Sequence, residues 1–273
     1  MSKDRIMSSV VMILVIILAM LNDWLFLIVL SAFTIGGLYE FFYLIKKKGI
    51  PIYSYTGIMV GVLIPISTFF QFQPTKGWEL LFIVILLLTI FMMQLMRREN
   101  SNAIVGISTT LFGILYVAWL LSFVVRIRFL MPGVDGLKLL GFVLIVTKAG
   151  DVGALVFGSA FGKHPLLPRI SPNKTIEGSV GSFVFSMGAA FLSSSFIPDI
   201  FGFSLWQILI VGFVIGGLGQ LGDLSESLIK RDCNVKDSGK MLPAMGGVLD
   251  LIDSVLFTVP VYYFFMSSIL RAI

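Results

Sequence analysis

The sequence predicts an all-α, polytopic integral membrane protein with about nine transmembrane helices. Of its 273 residues, 57% are hydrophobic and 13% are charged, and the mean hydropathy is +0.99. A soluble domain is nearer to half apolar and a quarter charged. The apolar residues form runs of about 20, the length that crosses a bilayer as a helix. Only short polar breaks separate these runs, so no loop is expected to hold a soluble domain.

The first apolar run, residues 6–21, follows Lys3 and Arg5, as the core of a signal peptide would. No small-residue cleavage site comes after it, and we therefore interpret it as a retained helix. The other predicted helices follow the remaining apolar runs, at about 24–45, 52–70, 78–96, 102–125, 138–161, 177–197, 204–229 and 250–270.

The distribution of positive charge predicts the orientation of these helices. With the N-terminus in the cytosol, the cytosolic side receives fourteen Lys and Arg residues and the outer side receives five, while Lys148 lies within a span. An odd number of helices then places the C-terminus outside, and both long polar stretches, 162–176 and 230–249, in the cytosol. The net charge of +5 is scattered over short loops, which fits membrane topology and argues against a nucleic-acid groove.

Charge within the predicted spans is unevenly distributed along the chain. Residues 1–135 contain one clear intramembrane charge, Glu40, and are interpreted as an N-terminal transmembrane scaffold. Residues 136–273 are interpreted as the reactive C-terminal transmembrane part, because charged side chains persist in a bilayer mainly where they have partners and a function. The intramembrane charged residues assigned to this part are Lys148, Asp151, Glu177, Asp223, Glu226, Asp250 and Asp253.

Carboxylates occur at helical spacing on both sides of the polar stretch 230–249. Asp223, Glu226 and Ser227 stand at i, i+3 and i+4 near the end of one helix, and Asp250 and Asp253 stand at i and i+3 at the start of the next. If the two helix ends meet, they form an oxygen-only cluster, which suits a hard divalent cation such as Mg²⁺. A single Asp near a helix start is equally explained by the helix dipole.

Basic residues and glycines fill the stretch between these carboxylates. Lys230, Arg231 and Lys236 are candidates for binding an anion, although the positive-inside bias alone explains some basic residues here. Gly246 and Gly247 permit close approach of a ligand to the main chain, although such pairs are often only turns. The glycines of the preceding helix, from Gly212 to Gly222, are interpreted as a packing face.

The other polar stretch, 162–176, contains Ser171 and Pro172, which are typical of a helix start. A helix starting there would aim free N–H groups and Lys174 at an anion. The single histidine, His164, is expected to be solvated and receives no role. Asp151 has two open interpretations, a ligand contact or an internal i, i+3 pair with Lys148.

The second polar stretch and its flanks contain the pattern Ser227-x-x-Lys230-Arg231-x4-Lys236-Asp237-x-Gly239-x-x-Leu242-Pro243-x-x-Gly246-Gly247-x-x-Asp250-x-x-Asp253. This pattern resembles the signature of a known family, the phosphatidate cytidylyltransferases (CDP-diacylglycerol synthases). A Ser-Pro-x-Lys-Thr-x-Glu-Gly segment at 171–178 and an Asp-x-Gly-Ala segment at 151–154 extend it to about residues 147–254. The chain departs at Met245 and Leu251, where the family usually has His and Arg.

The resemblance implies transfer of a cytidylyl group from CTP to phosphatidic acid, giving CDP-diacylglycerol and pyrophosphate in phospholipid biosynthesis. It implies Mg²⁺ as cofactor, with a second cation left open. The implied catalytic residues are Asp223, Asp250, Lys236 and Asp237. The implied metal ligands are Asp223, Asp250, Asp253 and Glu226. The implied substrate-binding residues are Lys174, Glu177, Ser227, Lys230, Arg231, Gly246, Gly247 and Asp151.

Two other function classes stay open at the level of the residues. An ion-coupled transporter would bind a translocated cation with the same carboxylates. Such a protein is expected to have polar residues on both sides of the midplane, whereas here they gather at the predicted cytosolic end. A polyprenyl-phosphate sugar-phosphate transferase also uses Mg²⁺ and membrane-edge Asp residues, but it consumes a nucleotide sugar. We expect phosphatidic acid, CTP and the lipid bilayer as partners and no nucleic acid, and a homodimer stays open. The expected location is the bacterial inner membrane, with the active site facing the cytosol.

Overall fold

The chain is almost entirely helical in the computed structural model, which describes residues 3–72, 78–97, 101–236, 238–239 and 246–272. The helices are α1 (Lys3–Leu21), α2 (Asp23–Lys47), α3 (Ser54–Phe69), α4 (Trp78–Leu95), α5 (Ala103–Gly113), α6 (Leu120–Arg128), α7 (Val134–Phe161), α8 (Ile176–Leu192), α9 (Leu205–Asp232) and α10 (Val248–Ala272). A π-helical segment, Ile114–Trp119, joins α5 to α6 without a break.

Among the residues that the structure describes, five helices are long and apolar enough to cross a membrane: α2, the continuous helix 103–128, α7, α9 and α10. Four shorter apolar helical segments lie in α1, α3, α4 and α8. The prediction of an all-α membrane protein is therefore confirmed. Nine spans and the orientation of the termini stay predictions.

One small sheet interrupts the helical pattern, and the sequence analysis missed it. Strands β1 (Pro165–Leu167) and β2 (Ser171–Thr175) pair antiparallel between α7 and α8. Helix α8 ends at Leu192, earlier than predicted, and two short 3₁₀ turns, Ser194–Phe196 and Asp199–Phe201, lead towards α9.

The chain divides into two compact units, which do not follow the predicted boundary at residue 135. The first comprises residues 1–122 with 233–249, and the second comprises residues 123–232 with 250–273. The functional division into scaffold and reactive part stays a prediction.

The first unit packs around α2, whose Leu38, Phe41 and Phe42 are fully buried. Glycines on the neighbouring helices make room for these side chains. A Cβ added at Gly57 of α3 would lie 2.6 Å from the Phe42 ring, and one at Gly113 of α5 would lie 2.6 Å from the Phe41 ring. Such close contact of large and small residues gives interior packing its density.

The second unit brings α7, α8 and α9 together through small residues. A Cβ added at Gly153 of α7 would lie 2.5 Å from the carbonyl oxygen of Gly181 on α8. A Cβ added at Gly216 of α9 would lie 2.6 Å from the hydroxyl of Ser186 on α8. The prediction that the glycines of α9 form a packing face is confirmed, because small residues let helix backbones approach closely in membranes.

Candidate active site

Three carboxylates from two helices meet in the second unit. Asp223 and Glu226 lie on α9 and Asp253 lies on α10, and each offers one oxygen within 4.8 Å of the others. Glu226 is fully buried, Asp253 is 6% exposed, and Asp223 is half-buried. The prediction that the two helix ends bring their acidic faces together is therefore correct for these three residues, which we call the carboxylate cluster.

A glycine on α9 allows this approach. A Cβ added at Gly222 would lie 2.3 Å from the carbonyl oxygen of Asp253 and 3.0 Å from the Cα of Ser254. Any larger residue at 222 would force the two backbones apart. Gly222 therefore sets the spacing that brings Asp253 against the carboxylates of α9.

Lys230 links the carboxylate cluster to Asp250. Its Nζ forms an ion pair with Glu226, one helical turn earlier on α9, and lies 2.5 Å from Asp250 Oδ1 on α10. The Lys230 side chain is only 12% exposed. One desolvated ammonium thus neutralises charge on both helices, and Asp250 reaches the cluster through this lysine.

The β-hairpin brings a second ammonium group to the cluster. Lys174, on β2, places its Nζ 2.7 Å from Asp223 Oδ2. This Nζ is buried and forms no hydrogen bond of good geometry with the described residues, so the contact is an ion pair with unused donor capacity. The turn of the hairpin is tied to α9, because Arg231 Nε donates to the carbonyl oxygen of Ile170 at 3.1 Å.

The start of α8 differs from the prediction. Ser171 and Pro172 lie in β2, and the N-cap of α8 is Thr175, whose hydroxyl accepts a hydrogen bond from the Gly178 N–H at 3.1 Å. The expectation of a helix start at Ser171-Pro172 is therefore wrong. Residues 171–175 form β2, and the last residue of that strand, Thr175, also caps α8.

Glu177, in the first turn of α8 and outside the five candidate spans, closes the base of the hairpin. It accepts hydrogen bonds from the backbone N–H groups of Lys163 and His164, and the Nδ1 of His164 lies 2.6 Å from its Oε1. The His164 ring, together with these N–H groups, lowers the pKa of the Glu177 carboxyl to about 2. The His164 side chain is 72% exposed, as expected for a solvated histidine, and its ring also pairs with Glu177.

A further ammonium lies halfway along α7. Lys148 Nζ donates to Asp151 Oδ2 at 2.9 Å, to the carbonyl oxygen of Leu251 at 3.0 Å and to Ser254 Oγ at 2.9 Å. Ser254 Oγ donates in turn to Asp151 Oδ2 at 2.9 Å, while its N–H donates to Asp253. The structure thus shows the internal pair of Lys148 and Asp151. Both residues of this pair form hydrogen bonds with Ser254, the residue that follows Asp253.

The donor set of the carboxylate cluster fits a hard divalent cation. All its ligand atoms are oxygens, and both carboxylate oxygens of Glu226 are buried without a hydrogen bond of good geometry among the described residues. Buried carboxylates are costly unless they are paired or bind metal. Mg²⁺ prefers such oxygens and completes its shell with water and phosphate.

The remaining candidate residues are placed as follows. Ser227 is buried on α9. Lys236 is exposed, Gly247 is buried, and Gly246 has a φ of 96°, which favours glycine. These last three belong to the first unit. Asp237 and Met245 lie outside the described residues.

Sequence reasoning missed the partners of the site residues more than the residues themselves. The link between Lys174 and Asp223 joins residues far apart in the sequence, and no local pattern signals it. Thr175 could have been found, because Thr is a good N-cap and precedes a regular apolar run.

A model of the cytidylyltransferase family matches residues 3–269, nearly the whole chain. Two full-length relatives are named phosphatidate cytidylyltransferase. The one from Bacillus subtilis is 32% identical over 274 residues, covering 97% of this chain and 97% of the relative. The one from Synechocystis sp. is 31% identical over 303 residues, covering 99% and 98%.

A more similar but shorter match, also named phosphatidate cytidylyltransferase, comes from Staphylococcus saprophyticus. It is 44% identical over 126 residues, which is 46% of this chain, and the chain spans about half of that relative's length (48%). These similarities favour the cytidylyltransferase interpretation over a transporter or a polyprenyl-phosphate transferase.

Proposed function

Because the chain belongs to the cytidylyltransferase family, we propose that it transfers the cytidylyl group of CTP to phosphatidic acid. An oxygen of the lipid phosphate attacks the α-phosphorus of CTP, and the bond from that phosphorus to the bridging oxygen of the β-phosphate breaks. The products are CDP-diacylglycerol and pyrophosphate.

The observation that carries this proposal is the contact of buried carboxylates with lysines at one end of α9. The lipid phosphate is already ionised and nucleophilic at neutral pH, so the reaction needs no Ser-His-Asp arrangement. Its difficulty is to hold two mutually repelling phosphates in line and to stabilise charge on the leaving group. A cluster that offers both oxygen ligands and ammonium groups, such as Lys174 beside Asp223, suits that task.

Asp223, Glu226 and Asp253 would hold Mg²⁺, with Asp250 adjoining them through Lys230. When bound, Mg²⁺ neutralises charge on the α-phosphate and on the departing pyrophosphate. A second cation at these four carboxylates stays open.

We assign the basic residues to the phosphate groups of the substrates. In this structure, Lys174 and Lys230 are paired with carboxylates. In the proposed reaction, each side chain turns towards a phosphate that binds beside the cluster. Arg231 and Lys236 supply further positive charge. Asp237 keeps the catalytic role that the family resemblance implies. Substrate-binding roles are kept for Asp151, Glu177, Ser227, Gly246 and Gly247.

The membrane arrangement that supports this function has nine spans, a cytosolic N-terminus and an outer C-terminus. The excess of basic residues in the loops assigned to the cytosol supports it. The protein then lies in a bacterial inner membrane, and its active site faces the cytosol, where CTP is found. The acyl chains of phosphatidic acid stay in the bilayer. A homodimer is compatible with this arrangement.

The direct test uses the purified protein in lipid nanodiscs with phosphatidic acid, radiolabelled CTP and Mg²⁺. The proposal requires label in the lipid phase, dependent on phosphatidic acid and released together with pyrophosphate. A nucleotide sugar in place of CTP should give no lipid product. Lipid labelling from the nucleotide sugar, with none from CTP, would support the polyprenyl-phosphate transferase instead.

A further inference from the structure

One buried carboxylate of the first unit lies outside the proposed chemistry. Glu40, on α2, is 1% exposed. Its Oε2 accepts two hydrogen bonds, one from the N–H of Leu249 at 2.9 Å and one from the hydroxyl of Ser238 at 3.1 Å. Both donors lie about 200 residues further along the chain. Glu40 therefore joins a helix long enough to span the membrane to the segment 236–249, which comprises most of the connection between α9 and α10 and the first two residues of α10.

The backbone of that segment comes close to the same carboxylate. A Cβ added at Gly239 would lie 2.1 Å from Glu40 Oε1 and 2.6 Å from its Cδ. Oε1 itself is buried and has no hydrogen-bond partner among the residues that the structure describes. Two hydrogen bonds and one tight contact thus converge on Glu40.

Such a carboxylate is unfavourable in a membrane helix unless it has a function, because burying it removes its hydration. The contact with Leu249 has a specific effect on α10. Leu249 is the second residue of that helix, where backbone N–H groups have no partner within the helix. A carboxylate at this position satisfies one of these groups and complements the helix dipole.

The segment held in this way is the one to which the proposed function assigns phosphate binding. It carries Lys236, Gly246 and Gly247, and Asp250 follows Leu249 directly in α10. Glu40 contacts the segment near its beginning, at Ser238, and at its end, at Leu249. One side chain therefore fixes both ends of the segment against α2.

We propose that Glu40 is a positioning residue that holds Ser238 and Leu249 of the segment 236–249 in the positions that binding of the CTP triphosphate requires. The inference rests on the proposed function, because it needs CTP as the ligand of this segment. Glu40 acts as a hydrogen-bond acceptor for Leu249 and Ser238 and touches no substrate. Because this role requires a hydrogen-bond acceptor and no charge, a neutral side chain of the same shape should replace Glu40 without loss of CTP binding.

The test compares Glu40→Gln with Glu40→Leu. Glutamine keeps an oxygen that can accept the hydrogen bond from the Leu249 N–H. The KM of the Glu40→Gln variant for CTP should therefore stay within about twofold of the wild type. Leucine leaves the Leu249 N–H buried without an acceptor, and the KM for CTP should rise about tenfold or more. The KM for phosphatidic acid should change little in either variant. Selective loss of CTP affinity, with rescue by glutamine, separates positioning from general loss of stability.

The matched control is Thr34→Val on the same helix. Thr34 is fully buried, and its hydroxyl donates to the Leu30 carbonyl oxygen within α2 at 2.9 Å. Valine has nearly the same shape, so this variant removes a buried polar group of α2 without touching the segment 236–249. Its KM for CTP should equal that of the wild type.

Hydrogen exchange of the segment 236–249 provides a measurement that needs no substrate. Exchange of the amides of Ser238, Gly239 and Leu249 should be faster in Glu40→Leu than in the wild type and should equal the wild type in Glu40→Gln. Gly239→Ala, which keeps Glu40 but crowds it, should accelerate exchange and raise the KM for CTP in the same way. This variant decides the question if Glu40→Leu does not fold.

A folded Glu40→Leu protein with wild-type KM for CTP would overturn the proposal, and so would a Gly239→Ala protein with wild-type KM and exchange. Failure of the proposed function gives a different result. In that case the wild type transfers no label from CTP to lipid, whereas the exchange comparison still reports whether Glu40 holds the segment.

Discussion

Gly222 of α9 faces the backbone of Asp253 on α10 so closely that an added Cβ would lie 2.3 Å from the Asp253 carbonyl oxygen. This contact lies one residue before Asp223 in the sequence. The contact at Gly222 therefore sets both the distance between the backbones of α9 and α10 and the distance between the carboxylates of Asp223 and Asp253. The geometry of the carboxylate cluster depends on the absence of a side chain at position 222.

Gly222→Ala should separate α9 from α10 and weaken the cluster. We expect a loss of stability of about 1–3 kcal/mol, typical of overpacking, together with a lower affinity for Mn²⁺ used as a probe of the cation site. Gly217→Ala is the control on the same helix, because its added Cβ would meet the Phe183 ring at 3.4 Å, an ordinary contact. Thermal melting and Mn²⁺ titration measure both effects. Unchanged Mn²⁺ affinity in Gly222→Ala would show that the cluster does not depend on this contact.

Lys174→Met should change cation and nucleotide binding in opposite directions. Its ammonium lies 2.7 Å from Asp223 Oδ2 and competes with a cation for that oxygen. Without CTP, Mn²⁺ affinity should therefore rise about fivefold, as expected for loss of a partly exposed ion pair. CTP affinity should fall about tenfold or more, because a charged hydrogen-bond donor to phosphate is lost.

Lys163→Met is the matched control for Lys174→Met, since it removes an exposed lysine close to the hairpin. It should leave both affinities unchanged. If Lys174→Met lowered the affinity for both ligands, competition between the ammonium and the cation would be excluded.

The two departures from the family pattern should be tolerated. Leu251→Ala keeps the backbone carbonyl oxygen that accepts from Lys148 at 3.0 Å, so the link between α7 and α10 survives. Met245→Ala should also retain most of the turnover, because no imidazole is present there to be lost. Steady-state turnover of both variants, with melting curves to verify folding, measures this. An inactive but folded Leu251→Ala would reveal a role for the leucine side chain.

The polar stretches should be reachable from one side of the membrane only. Single cysteines placed in 162–176 and 230–249 should react with an impermeant maleimide from the cytosolic side in oriented vesicles. The physical reason is the excess of Lys and Arg in the loops assigned to that side. Labelling of either stretch from outside would contradict the proposed orientation.

The helices and the acidic residues could be predicted because their signals are local. Apolar runs of about 20 residues identify helices, and the spacing of Asp223 with Glu226 places both on one face. The β-hairpin was missed because its strands are only three and five residues long, Pro-Leu-Leu and Ser-Pro-Asn-Lys-Thr. Such short segments carry no clear strand periodicity.

The pairing within the site could not be predicted, because it joins distant parts of the chain. Lys174 meets Asp223 only after the hairpin folds towards α9. Glu40 was recognised as an exceptional charge, but its partners lie in a segment about 200 residues away. A single sequence shows which residues are unusual in a membrane, and the fold shows what they contact.

The central claim is that the carboxylates of α9 and α10 act as one unit in CTP-dependent transfer. The most direct measurement is the turnover of Asp223→Asn, Asp250→Asn and the double variant. Each change keeps the shape of the side chain but removes the charge that a cation needs. Turnover of each single variant should fall by at least ~10², about 2.7 kcal/mol of transition-state stabilisation. The double variant should be scarcely worse, because residues that act together are not additive.

Asp199→Asn, in a short 3₁₀ turn between α8 and α9, is the control and should turn over at the wild-type rate. Melting temperatures should change little in all variants. If folded Asp223→Asn and Asp250→Asn proteins kept near-normal turnover of CTP, the carboxylates would not form the catalytic centre, and the account of the site would be wrong.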